Sequence, residues 1–259
     1  MTQDHYRVVI VADTHIGAER RPWLQKMAIT AEQYDRPALE AIQWARDNDA
    51  LTVLAGDKYD QRRPTPADYL RGKRIQCDVE LAGNHDMPAL GEIDALWNGN
   101  DVMRGRPSLM KLDEMESGVG LQVVGIPWPR VSDYPNDGRR QTIEHELAAT
   151  RQHVGKNVQS IAKNLDPKRP AIGIGHLMTS AGHGQNEGDG FLLGKDVLIP
   201  EGGLKAIENI GGWYLGHVHK PWHMYVGSTQ PTNWGEADQV KSFTVVDINK
   251  WDGEQAFNS

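Results

Sequence analysis

Polar residues of the types that bind metal ions or handle protons recur immediately after short apolar runs in this sequence. Asp13 and His15 stand two residues apart in Asp-Thr-His-Ile-Gly, and His217 and His219 do so in Leu-Gly-His-Val-His. In an extended chain, residues two apart point to the same side, so each pair can address one site. The other candidates also follow apolar runs, and they are Asp57, Asn84, His85, Asp86 and His176.

These side chains indicate a site for divalent metal ions. Imidazole, carboxylate and amide ligands without thiolate suit Mn²⁺, Fe²⁺, Zn²⁺ or Co²⁺ and differ from the all-oxygen shell of Ca²⁺. Seven candidate ligands, namely two Asp, one Asn and four His, exceed what one ion needs, and a carboxylate can bridge two ions. Two ions about 3.5–4 Å apart can hold a phosphate and lower the pKa of a shared water.

Each motif alone has a simpler interpretation. A single His at the end of a strand is usually a polar surface residue, and Gly-Asp is mostly a turn. Here all five motifs occur in order, and glycine directly precedes the polar residues in four of them. Glycine lets the backbone come close to a bound ion or phosphate, so the complete set favours a metal site.

Apolar runs bounded by Gly, Asp or Pro predict the buried strands that would carry these side chains. They lie at 8–12, 51–55, 79–82, 121–126, 171–174, 213–215, 224–226 and 243–246. Helices are predicted over 37–48, from Thr65 onwards and over about 141–165. The alternation predicts an α/β fold, in which loops beyond the carboxyl ends of the strands bind ligands.

The composition and the net charge argue against several classes of protein. The chain has 259 residues and a net charge of −7, which argues against passive binding of nucleic acid by a basic surface. A single cysteine, Cys77, excludes an internal disulfide and a cysteine-based zinc site, so a reducing compartment is expected. No signal peptide or membrane-spanning run is visible, so we expect a cytoplasmic protein without a membrane partner.

The ordered set of motifs resembles the calcineurin-like metallophosphoesterase superfamily from about Arg7 to Ile248. The resemblance implies an α/β fold in which two mixed sheets form a β-sandwich flanked by helices, a four-layer αββα arrangement. It also implies two divalent metal ions, with Mn²⁺ as the expected metal.

The resemblance further implies a role for each candidate. Asp57 would bridge the two ions. The remaining ligands would be Asp13, His15 and His219 for the first ion, and Asn84, His176 and His217 for the second. His85 would lie outside the metal shell, against the phosphate and leaving group, with Asp86 orienting its ring.

Further blocks resemble the Mre11/SbcD branch of DNA nucleases. The segment 56–66, Gly-Asp-Lys-Tyr-Asp-Gln-Arg-Arg-Pro-Thr-Pro, is similar to the family's Gly-Asp-Leu-Phe-His-x-x-x-Pro. The segments 225–231, 234–236 and 241–248 are similar to its Tyr-x-Gly-Ser, Gly-Glu and Lys-Gly-Phe blocks, and Ile126-Pro127-Trp128-Pro129 is also SbcD-like. This resemblance implies a metal-dependent DNA exonuclease or endonuclease, with DNA as substrate and an SbcC/Rad50-like ATPase as a candidate partner.

The sequence departs from that branch in two ways. Asp60 stands where the family has a second histidine that assists phosphate handling, so it is a catalytic candidate with altered chemistry, or a surface acid in a turn. Residues 1–259 are expected to form a single metallophosphoesterase domain without a cap or ATPase-binding domain. The segment between Asp57 and Asn84 is short, and because this region helps the family dimerise, the oligomeric state stays open.

Substrate contacts have two interpretations each. Arg62 and Arg63 begin a basic stretch, continued by Arg71, that suits DNA backbone phosphates but is also typical of a solvated helix face. Trp128 and Trp234 lie near the ligand motifs, where they would stack on bases or pack the site.

Two alternatives to a DNA nuclease remain open. One is a small-molecule phosphodiesterase or phosphatase acting on nucleotides, which the replacement at Asp60 favours. The other is a subunit that serves an ATPase partner and whose own metal site is vestigial, which the complete ligand set disfavours.

Overall fold

The computed structural model describes residues 5–87, 102–112, 120–134, 142–180, 182, 196–249 and 257–258. Within these ranges the strands are β1 (His5–Val11), β2 (Leu51–Ala55), β3 (Val79–Leu81), β4 (Val102–Met103), β5 (Ser108–Leu112), β6 (Leu121–Ile126), β7 (Ala171–His176), β8 (Met178–Thr179), β9 (Leu198–Ile199), β10 (Trp213–Gly216), β11 (Thr244–Asn249) and β12 (Phe257–Asn258). The α-helices are α1 (Pro22–Lys26), α2 (Ala31–Asp47), α3 (Pro66–Gly72), α4 (Ile143–Ala162) and α5 (Glu201–Lys205).

Two mixed sheets form the centre of the described structure. The larger has the order β12-β11-β1-β2-β3-β4, in which β1 to β4 are parallel and β11 is antiparallel to β1. The smaller has the order β10-β7-β6-β5, in which β10, β7 and β6 are parallel and β5 is antiparallel to β6. The short strands β8 and β9 pair separately.

Successive side chains of β1 point to opposite faces of the larger sheet and so show how the layers of the fold are arranged. Val8 and Ile10 point into a core that both sheets share, where they join residues such as Ile172 of β7. Val9 and Val11 point to the other face and pack with Ala41 and its neighbours on α2. On the outer face of the smaller sheet, α4 packs against β6 and β5. The layers are therefore helix, sheet, sheet and helix, as predicted.

The start of α3 was predicted correctly from its capping signal, and α4 lies within the range predicted for it. Thr65 and Asp68 form a capping box at the start of α3, and α4 begins directly after its cap, Thr142. The helix α2 begins six residues before the predicted position, because Thr30 and Gln33 form a capping box there and Pro37 lies inside the helix. Proline in a first turn is common, and that preference misplaced the start.

The predicted strand at 224–226 is replaced by isolated bridges. Tyr225 pairs with Leu215 and with Trp222, so the chain turns back on itself instead of extending along the sheet. The strand β5 had no signal in the sequence analysis, because its half-buried residues Ser108–Leu112 include a lysine. Among the described helices, none combines the length and apolar character needed to cross a bilayer.

Candidate metal centre

The carboxyl ends of five strands converge on one site. β1, β2 and β3 are parallel in the larger sheet, and β7 and β10 are parallel in the smaller one. β2 contacts both β7 and β10 across the sandwich, so the two sets of strand ends meet. The residues brought together are Asp13, His15, Asp57, Asn84, His85, His176, His217 and His219. Parallel strands end at the same edge, which explains why separate motifs share a site.

Backbone strain is concentrated at these residues. Asp13, His15, Asp57 and His217 have φ values of 51°, 41°, 51° and 86°. Non-glycine residues rarely adopt positive φ, and each such residue costs of the order of 1–3 kcal/mol. The surrounding fold therefore holds four candidate ligands in a conformation that they would not adopt freely.

Glycines make the close approach of the loops possible. A Cβ atom on Gly83 would overlap the Asp57 carboxylate, and one on Gly216 would overlap the carbonyl oxygen of Ala55. Gly56 has a φ of 91°, and a Cβ there would overlap the ring of His176. The glycines before Asp57, Asn84 and His217 thus let polar atoms from different strands approach one another.

One group of donor atoms consists of Asp13, His15 and His219. Their ligand atoms all lie within 4.8 Å of one another. The Nε2 atoms of His15 and His219 are 3.1 Å apart, and His219 Nε2 is 3.8 Å from Asp13 Oδ1. His15 Nε2 is also 3.7 Å from Asp57 Oδ2, which links this group to the second one.

The second group is built around Asp57, Asn84 and His176. His176 Nε2 lies 3.3 Å from Asp57 Oδ2 and 3.0 Å from Asn84 Oδ1. His217 Nδ1 lies 3.1 Å from the same amide oxygen. The Asp57 carboxylate is therefore next to donor atoms of both groups, which is the position that a bridging ligand requires.

His85 is held by two contacts. Its backbone N–H donates to Asp57 Oδ1 at 2.8 Å, and its Nδ1 lies 2.6 Å from the carbonyl oxygen of Asp60. A carbonyl only accepts, so Nδ1 carries the proton. His85 also offers a donor atom within 4.8 Å of His15 and Asp57, so metal and substrate contacts are both within its reach.

Asp86 occupies a different place from the one expected. Its buried carboxylate accepts hydrogen bonds from the backbone N–H groups of Lys58, Tyr59 and Gly83 at 3.0–3.2 Å. Asp86 thus holds together the loops that follow β2 and β3, and the orienting contact on the His85 ring comes from Asp60. The sequence interpretation of Asp86 is corrected in this respect, because tertiary packing brings the backbone of the loop after β2 to this carboxylate in addition to the nearby Gly83.

The residues expected to contact the substrate differ in how exposed they are and in what they touch. Arg62 and Arg63 are exposed in the loop that follows Asp57. The half-buried Trp128 packs its ring against His217, with centroids 4.7 Å apart, and so supports a candidate ligand. Arg71 is not a surface cation, because its guanidinium pairs with Asp35 at 2.6 Å and with Glu19 at 2.8 Å.

A buried carboxylate behind His219 was missing from the candidate list. Glu236 Oε1 lies 2.8 Å from His219 Nδ1, and Lys241 Nζ lies 2.7 Å from Glu236 Oε2. Both residues fall in blocks that carry the family resemblance, which was the available signal, but residue type and spacing gave them no role. A histidine that ligates a metal commonly donates its other ring N–H to such a carboxylate.

The pKa values of the two buried aspartates shift in opposite directions. Burial raises the pKa of the Asp13 carboxyl to about 6, an effect that His176 and His219 partly offset. Burial acts on Asp57 in the same direction, but His176 and His85 outweigh it and hold the pKa of that carboxyl well below its usual range. Asp57 is therefore the permanent negative charge at the centre of the site.

The pKa values of the buried histidines also shift in opposite directions. Burial, reinforced by other histidines, lowers the pKa of His217 to about 3 and that of His15 well below its usual range. Burial acts likewise on His176, but Asp57 raises the pKa of that ring to about 9. His15 and His217 are neutral near pH 7 and carry a lone pair.

The residues present fit divalent metal ions. Within the described structure, His217 Nε2 is buried without a hydrogen-bond partner, and the Nε2 atoms of His15 and His219 face each other at 3.1 Å. Such crowding of buried lone pairs is costly unless a cation lies among them. Nitrogen and oxygen donors around one central carboxylate suit two ions of the Mn²⁺, Fe²⁺, Zn²⁺ or Co²⁺ type.

Comparison with known proteins supports the same chemistry. No protein-family model matches the chain. A curated relative, the SbcD subunit of the SbcCD nuclease from Staphylococcus epidermidis, is 22% identical over 259 aligned positions, which cover 93% of this chain. The chain spans 66% of the length of that relative.

Solved structures share the fold. The calcineurin-like phosphoesterase YfkN from Bacillus subtilis superposes with a TM-score of 0.50 at 15% identity, covering 98% of this chain and 90% of that one. GAP50, described as the anchor in the inner membrane complex of Plasmodium, gives a TM-score of 0.51 at 11% identity, covering 99% and 89% of the two chains. The chain therefore has the fold of the calcineurin-like phosphoesterases, and its sequence is similar to that of an SbcD nuclease subunit, which is consistent with an Mre11/SbcD-like metallophosphoesterase.

Proposed function

We propose that this protein is a DNA nuclease that hydrolyses phosphodiester bonds with two Mn²⁺ ions. The observation that carries the proposal is the similarity to a nuclease subunit along 93% of the chain, combined with a complete donor set at the strand ends. Bound ions would supply Lewis-acid activation of a water and stabilise charge on the phosphate. An SbcC/Rad50-like ATPase is the proposed partner, since the relative is a subunit of SbcCD.

In this proposal each side chain of the site has a separate role in metal binding, catalysis or substrate binding. Asp57 bridges the ions, one of which is held by Asp13, His15 and His219 and the other by Asn84, His176 and His217. His85 points its Nε2 at the leaving oxygen, because its Nδ1 is occupied by the carbonyl of Asp60. Exposed Arg62 and Arg63 bind backbone phosphates, and Trp128 keeps the His217 ring in place.

An exposed aromatic surface lies close to the first metal site. Trp234 is 70% exposed, and its ring meets the edge of Trp23 with centroids 6.2 Å apart. Trp23 Nε1 donates to the carbonyl of Thr232, whose hydroxyl lies 3.2 Å from His219 Nδ1. The flat ring of Trp234 can stack on a nucleic-acid base. A polynucleotide substrate would gain more binding from this contact than a small ester would.

The decisive assay compares substrates under one metal condition. Purified protein with Mn²⁺ receives labelled single-stranded DNA, labelled duplex DNA and bis-p-nitrophenyl phosphate. We expect cleavage of DNA without ATP, with single strands and exposed ends cut before intact duplex, because a recessed site admits a thin strand more easily. Hydrolysis of mononucleotide diesters with no DNA product would instead favour the small-molecule phosphodiesterase.

Trp234→Ala is expected to separate the two substrates. It should lower cleavage of single-stranded DNA roughly tenfold, as follows from about 1–3 kcal/mol per stacked base, and leave bis-p-nitrophenyl phosphate hydrolysis unchanged. The control is Ile143→Ala, which removes another exposed apolar side chain, at the start of α4. An equal loss on both substrates would argue against a stacking role.

Metal content tests the site directly. After chelation and reconstitution with Mn²⁺, elemental analysis is expected to find about two ions per chain, since one carboxylate adjoins both donor groups. Chelation should abolish hydrolysis, and Mn²⁺ should restore it. Saturation at one ion per chain would contradict the two-ion site.

A further inference from the structure

Asp60 stands in a buried ion pair beside the metal centre. Its side chain is 7% exposed, and its Oδ1 lies 2.6 Å from Arg21 Nη2. Arg21 also donates from Nη1 to the carbonyl of Thr232 at 3.0 Å, which anchors the guanidinium to the loop near His219. The Asp60 carboxylate is therefore held in one orientation, inside the protein and facing the ring of His15.

The ring of His15 has one nitrogen for a metal and one that needs an acceptor. Its Nε2 faces His219 Nε2 and Asp57 Oδ2, among the donor atoms. An imidazole that binds a metal through Nε2 carries its proton on Nδ1. That Nδ1 is buried, makes no hydrogen bond within the described structure, and lies 3.7 Å from Asp60 Oδ1. A buried N–H without an acceptor is costly, so the carboxylate facing it matters.

The same site already contains the equivalent arrangement in a closed form. His219 directs its Nδ1 to Glu236, and Lys241 pairs with the other oxygen of that carboxylate. A ligand histidine, a buried carboxylate and a cation occur there in series. His15, Asp60 and Arg21 form a similar but open series on the neighbouring ligand. Asp60 Oδ1 lies 2.6 Å from Arg21 Nη2 and 3.7 Å from His15 Nδ1, compared with 2.8 Å between His219 and Glu236.

We propose that Asp60, held by Arg21, is a positioning residue that accepts the Nδ1 proton of His15 and fixes this ring for the first metal ion. The acid at this position thus supports a metal ligand through its side chain, while its backbone carbonyl holds His85. The inference rests on the proposed two-metal site. It does not depend on whether the substrate is DNA or a small ester.

Calorimetric titration with Mn²⁺, in the absence of substrate, tests this role. Asp60→Asn keeps the side-chain shape and the backbone carbonyl but removes the negative charge. We expect one of the two ions to bind between about 10- and 100-fold more weakly, the usual effect of removing such a partner, and the other to be unaffected. The matched control is Asp247→Asn, which removes a carboxylate paired with Arg7 at 2.8 Å on β11 and should leave both affinities unchanged.

A second variant, Arg21→Gln, provides a test that does not require Asp60→Asn to fold. Arg21→Gln retains the carboxylate but releases it, and we expect a smaller loss of affinity for the same ion. Thermal melting of the metal-free variants reports on folding. If Asp60→Asn does not fold, the titration of Arg21→Gln decides. Unchanged Mn²⁺ affinities in a folded variant would overturn the role of Asp60, whereas wild-type protein that binds two ions but cuts no DNA would overturn only the substrate.

Discussion

Asp57→Asn is expected to abolish measurable hydrolysis and to weaken the binding of both metal ions, while Asp13→Asn weakens chiefly one. The Asp57 carboxylate adjoins His15 at 3.7 Å and His176 at 3.3 Å, so its charge serves both donor groups. Because its pKa is held well below the usual range, this charge is present at every working pH. Asp13, whose pKa burial raises to about 6, is also mostly ionised near pH 7, so its smaller expected effect follows from its place beside His219 in the first donor group.

The two substitutions are compared by activity and by metal titration. We expect kcat to fall at least about 10³-fold for Asp57→Asn, because weaker binding of both ions removes their contacts with the developing charge, and one such contact alone accounts for about 10²–10³-fold. The loss for Asp13→Asn should be smaller. Both variants are neutral amides of the same shape, so each is the control for the other. Greater residual activity in Asp57→Asn than in Asp13→Asn would contradict a bridging position for Asp57.

Much of this site could be predicted from short sequence patterns. An apolar run predicts a buried strand, a glycine and a polar residue mark its end, and parallel strands place their ends together. Asp13, Asp57 and His176 were found in this way, although they come from distant parts of the sequence. The positive φ value at Asp13 had no sequence signal, and that at Asp57 had none beyond the preceding Gly56.

Contacts between loops could not be predicted. The pairing of Glu236 with His219 depends on how an irregular segment folds back, which no periodic pattern describes. Lys58 follows Asp57 directly and has a residue type typical of a solvated loop, yet it is fully buried and pairs with Glu80 of β3 at 2.6 Å. Such buried ion pairs depend on tertiary packing, and local propensity carries no information about them.

Replacing His85 by alanine is expected to lower kcat about 10²–10⁴-fold, the usual contribution of a general acid, while both metal ions remain bound. The variant retains the backbone N–H that donates to Asp57 at 2.8 Å, so the bridging carboxylate keeps its support. It loses only the ring, whose Nδ1 proton is directed at the carbonyl of Asp60 and whose Nε2 would serve the leaving oxygen in the proposed mechanism. His145→Ala, which removes an exposed histidine of α4, is the control.

The dependence on the leaving group distinguishes the two positions that His85 can take. A p-nitrophenolate needs little protonation, so His85→Ala should impair hydrolysis of bis-p-nitrophenyl phosphate far less than cleavage of DNA, whose leaving group is an alkoxide. A residue that ligates a metal would impair both substrates alike. His85 offers a donor atom within 4.8 Å of His15 and Asp57, so this outcome is a real alternative. Loss of one ion from His85→Ala, measured by elemental analysis, would place the ring among the metal ligands.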